Sequence, residues 1–241
     1  MYIWLIVALV GFAALLHAGF QLGVSLLMLL SSHSIGAKRP ATTTAKLVLA
    51  YLLGVVVTTA LLFSALGYFA TLFFSAYQPA VTWLIIAALN VTIGGSVMLF
   101  YFRKGTGTEL WLPRKFAEYL VKRAKAARQA EEAFTLGVMS VLTEIGFIIA
   151  PLSVAVLAVA SLTGWEQLVG LIGYVLLASL PLLIIAGLIG AGHKVSGLQR
   201  WREQNKRFLQ YAAGSGLVVL GLYIFISEVV SQVALEGVPL L

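Results

Sequence analysis

What most restricts the fold of this chain is where its basic residues stand. All sixteen Lys and Arg fall in three alternate gaps between long apolar stretches. Lys38, Arg39 and Lys46 occupy the first gap. Arg103, Lys104, Arg114, Lys115, Lys122, Arg123, Lys125 and Arg128 occupy the third, and Lys194, Arg200, Arg202, Lys206 and Arg207 the fifth. Lys and Arg are enriched in loops retained on the cytoplasmic side of a membrane. The alternation therefore predicts an all-α bundle of six membrane-crossing helices with both termini outside.

A span needs about 20 apolar residues to cross roughly 30 Å of hydrocarbon. The predicted spans cover residues 2–30, 45–76, 81–102, 134–161, 167–191 and 208–230. Three exceed the minimum, which predicts tilt, kinks or an interfacial turn. Trp4, Trp83 and Trp165 fall at predicted external ends, where amphipathic rings suit the headgroup region. The apolar N-terminal run lacks a basic n-region and outlasts a signal core, so it is expected to stay as the first span.

Composition agrees. Charged residues make up 10% of the chain, against about 25% in soluble domains, and mean hydropathy is +1.00. The basic balance suggests attraction to anionic headgroups rather than nucleic acid, because no aromatic-interleaved basic patch is present. There is no cysteine, so disulfides, thiolate metal sites and thiol relays are excluded within this chain. All nine acids are Glu.

The chain divides into residues 1–103 with three spans, a linker over 104–133, and residues 134–241 with three more. Within the linker, Pro113–Ala133 predicts an amphipathic helix. Phe116, Leu120, Ala124 and Ala127 form its stripe, with Lys115, Lys122, Arg123, Lys125 and Arg128 around them. Such a helix can lie at the membrane interface or dock a membrane or cytoplasmic partner.

The two outer parts resemble one another. Phe20-Gln21-Leu22-Gly23-Val24 matches Phe134-Thr135-Leu136-Gly137-Val138. Ser32-His33 followed by Pro40 parallels Thr143-Glu144 followed by Pro151, three residues out of step with the first match. Gly54 pairs with Gly173, and Gly94-Gly95 with Gly214-Ser215-Gly216. The halves would enter the membrane from opposite sides, making a 3+3 inverted-topology repeat of the kind many secondary transporters use. Its first and fourth spans would pack centrally.

Glu144, in Leu142-Thr143-Glu144-Ile145-Gly146, is the leading candidate for chemistry. An acid near a helix centre costs about 2.5–3.5 kcal/mol to insert and usually faces the bundle interior or a watery cavity. There it can exchange a proton or neutralise a cation, with Thr143 beside it; the competing reading is a carboxyl bonded to a neighbouring helix for packing alone. Ser32 and His33 hold the related place in the first half, as proton or substrate contacts. His17 and Gln21 form an i,i+4 pair suited to bonding across helices, and Asn90 is a further polar candidate. Pro151, Pro181 and Gly146 are candidate helix breaks. No metal site, cofactor or enzyme signature is recognised: there is no Walker loop after a strand, no His-Glu-x-x-His and no paired carboxylates at catalytic spacing.

Three stretches carry a family likeness: the clusters Ser31–Ser34 and Thr143–Gly146 in the first and fourth spans, Gly173-Tyr174 to Leu180-Pro181 in the fifth, and Gly216–Tyr223 in the sixth. In these the chain resembles the lysine-exporter superfamily of six-span proteins, which includes amino-acid exporters, cation exporters and the CcdA/DsbD membrane domains. The resemblance implies breaks in the first and fourth spans and a place in the cytoplasmic membrane. The chain departs from the CcdA branch in having Ser32-His33 and Thr143-Glu144 where that branch has Pro-Cys pairs, so thiol chemistry is not implied. It shares only Glu144 and Gly146 with the Glu-x-Gly-Asp-Lys motif of a cation-exchanger branch. The expected function is a secondary transporter or exporter of a small solute or cation, proton-coupled through Glu144. The alternative is a non-transporting membrane assembly protein of the CcdA type without redox cysteines.

Overall fold

The computed structural model describes residues 3–20, 23–36, 41–73, 79–100, 114–193 and 195–236, with side chains for all of these except 32–36, 41, 114–117, 203 and 235–236. Every described element is helical. In chain order they are α1 (Ile3–Gly19), α2 (Gly23–Gly36), α3 (Ala41–Phe73), α4 (Ala80–Phe100), α5 (Arg114–Ala126), α6 (Ala130–Ala160), α7 (Trp165–Ala178), α8 (Leu180–Gly190), α9 (Ser196–Gln204), α10 (Lys206–Ile224), a π-helical turn (Phe225–Val230) and α11 (Ser231–Glu236).

Four continuous helices are long and apolar enough to cross a membrane: Thr42–Phe73, Ala80–Phe100, Ala130–Ala160 and Lys206–Ala234. Two further stretches qualify only as bent pairs. Ile3–Gly19 and Gly23–Ser31 meet at 53°, and α7 meets α8 at 57°. Counting each pair as one span brings the number to six. Large apolar side chains face outward along these helices, with Leu61 64% and Leu99 74% exposed. In water such a surface would be strongly unfavourable. In lipid it costs nothing, so the chain is compatible with an integral membrane protein.

Between apolar helices in lipid, packing depends on close approach, and small residues permit it. The long helices α3 and α6 lie along one another. Their backbones touch where Gly54 meets the Phe134 carbonyl and Gly137 meets the Tyr51 carbonyl. A second pair, α4 and α10, closes in the same way: a Cβ on Gly94 would lie 2.6 Å from the Gly214 carbonyl oxygen, and one on Gly214 would lie 2.8 Å from that of Gly94. The helix α1 fits against α6 and α7. At Gly173, the position corresponding to Gly54 in the second half, there is no such close approach, since an added Cβ would meet nothing within 4 Å.

One break falls beside Pro181, as the sequence suggests, and the other falls elsewhere. The predicted fourth span does not break at Thr143–Gly146 or at Pro151, since α6 is continuous through both. Thr143 bonds back to the Ser140 carbonyl at 2.7 Å, and Ser153 to that of Ile149 at 2.7 Å. Such local bonds satisfy polar side chains without opening a helix. The first break precedes Gly23 rather than lying at Ser31–Ser34, where α2 is helical. The second lies in the fifth span at Ser179, with Pro181 in the first turn of α8, where a missing N–H is of no consequence.

Helix ends are set by local chemistry. The Glu132 carboxylate accepts the Arg128 and Gln129 N–H groups at 2.7 and 3.3 Å, holding the start of α6. Gly164 turns the chain from α6 into α7 with φ +51°, and Gly192 ends α8 with φ +78°. Both conformations favour glycine. The linker stripe is already occupied: Leu120, Ala124 and Ala127 are buried, and α5 packs on α2 and α6. Trp4 and Trp165 are largely exposed, but Trp83, expected at an external end with them, is buried. It belongs to the α4 face Thr82, Trp83, Ile86, Ala87, Asn90 and Gly94, which lies against α10 and the π-helical turn.

Candidate functional site

Glu144 projects from the buried face of α6, in register with Gly137, Ser140, Val141 and Ile148. It is only 3% exposed. The spacing of three and four residues explains this: the same stripe that seats α6 against α3 and α1 carries the carboxylate inward. Its neighbours come from the broken first span. The Gly23 backbone N–H, at the start of α2, lies within hydrogen-bonding reach of the carboxyl group. The first N–H groups of a helix have no partner within it and favour negative charge. Breaking the first apolar stretch thus supplies a backbone donor to a carboxyl group enclosed in the bundle.

Two hydroxyls complete the cluster. Tyr51 on α3 donates to the Gly23 carbonyl at 3.0 Å, and Ser140, one turn before Glu144, lies within bonding reach of the Tyr51 hydroxyl. Ser140 also donates to the Gly137 carbonyl at 2.7 Å. Tyr51 is therefore held by the Gly54–Gly137 crossing and itself holds the start of α2. On the basic side, half-buried Arg202 of α9 is the charged group whose field reaches Glu144.

A second polar contact lies elsewhere in the bundle. His17, in the last turn of α1, places Nδ1 2.9 Å from the Tyr174 hydroxyl of α7. Asn90 of α4 donates to the carbonyls of Ile86 at 2.9 Å and Ala150 at 3.3 Å, tying α4 to α6. That is the interhelical bond its position suggested. Thr143 faces partly outward and bonds locally. Gly146 borders open space, and Pro151 is buried in the continuous part of α6. Gln21, expected to share a face with His17, and the side chains of Ser32 and His33, expected to answer Glu144 from the first half, lie outside the described residues.

Sequence reasoning found Glu144 but missed Tyr51, Ser140, Arg202 and Tyr174. Ser140 carried a usable signal, standing one helical turn from a buried acid. Tyr51 and Tyr174 carried none, because a tyrosine in an apolar span is as readily a belt or packing residue. Among the described residues no group of three or more His, Cys or acidic side chains could hold a metal ion.

The fold and site together define a class: an α-helical chain with four to six apolar spans, compatible with an integral membrane protein, enclosing a buried carboxylate beside a broken helix. No protein-family model, curated protein or solved structure matches the chain.

Proposed function

We propose that the protein is a six-span secondary transporter of the cytoplasmic membrane that moves a small solute, coupled to protons through Glu144. Both termini lie outside. The observation that carries this reading is the enclosed carboxylate beside the start of α2, where the first span is interrupted. Broken helices whose ends meet an ionisable group near mid-membrane are a recurring way to build a site that opens to either side. A carboxyl group kept inside a bundle for packing alone would be a costly choice where an amide makes the same bonds.

Three packing relations support mirrored halves. The first span lies against the fifth, the second against the fourth, and the third against the sixth. The contact between Gly94 and Gly214 is reciprocal, as a two-fold axis between halves requires. The halves are not identical, because one interrupts its first span and the other its second.

The test is proton movement in proteoliposomes containing pyranine, under an imposed pH gradient and a valinomycin-clamped potential. Wild-type protein is expected to dissipate the gradient. Glu144→Gln, which keeps shape and hydrogen-bonding capacity but cannot carry a proton, should reduce the rate to that of empty liposomes. A Glu144→Gln rate equal to wild type overturns the assignment. Inert wild-type protein, co-purifying with a stable partner, would instead favour a non-transporting assembly role.

A further inference from the structure

A cavity of about 370 Å³ lies between α3, α6 and α7, at the end of the bundle where the connecting segments 74–80 and 161–166 carry no Lys or Arg. Its α3 wall runs from Phe63 to Thr71, about 12 Å of helix. Its α7 wall runs the opposite way, from the Gly164 turn and Gln167 to Leu171. The helix directions therefore put Thr71, Gly164 and Gln167 at the mouth and Phe63, Val156 and Leu171 at the floor. The floor is apolar and closed, with Phe63 and Val156 buried; Ser64 is the one polar side chain near it. The mouth is polar but uncharged, and the flank is open, with Tyr68 63% and Leu168 59% exposed.

Small residues leave this volume. A Cβ on Gly67 or Gly164 would meet nothing within 4 Å. Gly164 is required by its φ of +51°, but Gly67 stands within α3, where glycine weakens a helix. Unlike Gly54 and Gly137, it lies at no backbone crossing, so close packing does not account for it. What it provides is room. An apolar recess of this kind stays dry and takes apolar occupants, and among apolar helices in lipid the occupant at hand is a hydrocarbon chain entering from the open flank.

We propose that the cavity holds one acyl chain of a membrane phospholipid, whose zwitterionic headgroup rests against Thr71, Gln167 and the Gly164 turn. The headgroup class follows from charge. No cavity residue is ionisable except Tyr68, and the acid next to Gln167 in the chain, Glu166, accepts the Thr163 N–H at 3.3 Å and its hydroxyl at 3.4 Å. A headgroup of net negative charge would meet a carboxylate with no Lys or Arg in either connecting segment to offset it. One that carries an ammonium beside its phosphate avoids that repulsion. This inference is independent of the transport reading, since flux tests the one and lipid retention the other.

Native mass spectrometry measures retention, on protein equilibrated with equimolar phosphatidylethanolamine and phosphatidylglycerol and then washed in detergent. Wild-type protein should keep one phospholipid, with phosphatidylethanolamine favoured roughly fivefold or more. Gly67→Leu fills the cavity and should lower retention by about the same factor. Gly187→Leu adds the same side chain at an exposed glycine of α8 with open space around it and should retain lipid as wild type does. The proposal is overturned by wild-type protein that keeps no lipid, by phosphatidylglycerol kept equally or better, by undiminished retention in Gly67→Leu, or by equal loss in both variants. Should Gly67→Leu not fold, Ser64→Leu, in the same wall one turn nearer the floor, replaces it with the same expected loss.

Discussion

Replacing Gly137 by Ala adds one methyl group at the place where the two longest helices touch. A Cβ there would collide with the Tyr51 carbonyl oxygen and lie 3.1 Å from the Val55 nitrogen and 3.2 Å from the Gly54 α-carbon. All three are backbone atoms, so no side chain can rotate aside. Relief requires α3 and α6 to separate by about 1 Å, given normal carbon contacts near 3.5–4.0 Å. The helices run 33 and 31 residues and shift as rods, losing contacts along the whole crossing. Overpacking of this kind costs about 1–3 kcal/mol. Gly173→Ala makes the same chemical change where nothing lies within 4 Å, and should gain up to about 1 kcal/mol from helix propensity. Because both variants share that propensity gain, they should differ by the overpacking cost of about 1–3 kcal/mol, or roughly 5- to 150-fold in the unfolding equilibrium. Unfolding in mixed micelles of rising SDS content, followed by circular dichroism, measures the difference. Equal midpoints for both variants would refute the crossing and, with it, the placing of Tyr51 at the start of α2.

Two further outcomes are expected. Leu120→Glu puts a charge where α5 meets α2; it should detach the linker and speed trypsin cleavage at Lys122 and Arg123 several-fold, with helicity by circular dichroism otherwise retained. Single cysteines introduced at Glu166 and Lys125 should react with a membrane-impermeant maleimide from opposite sides of intact cells and inverted vesicles, Glu166 from outside; labelling of both from one side would remove the six-span topology.

Much of the architecture was legible because it depends on local composition. Apolar length marks where helices can cross, and the spacing of Lys and Arg gives their proposed direction without any knowledge of packing. The inward face of α6 was also readable, since an acid in an apolar span has few tolerable orientations. The break beside Pro181 was readable too, but the one in the first span was not. Thr143–Gly146 looks like an interruption, yet its one hydroxyl, on Thr143, bonds to its own helix, while the break before Gly23 has no comparable polar cluster.

The chain alone determined that this protein is built from apolar helices with its basic residues in the segments between them, and that a carboxyl group within such a helix belongs on its inward face. The companions of Glu144 were decided only in three dimensions. Tyr51, Ser140, the Gly23 backbone and Arg202 come from α3, α6, α2 and α9, and they converge because two glycines let backbones touch. Likewise His17 finds Tyr174 157 positions away. Close approach depends on the shape of both partners at once, and no periodicity within either helix records it.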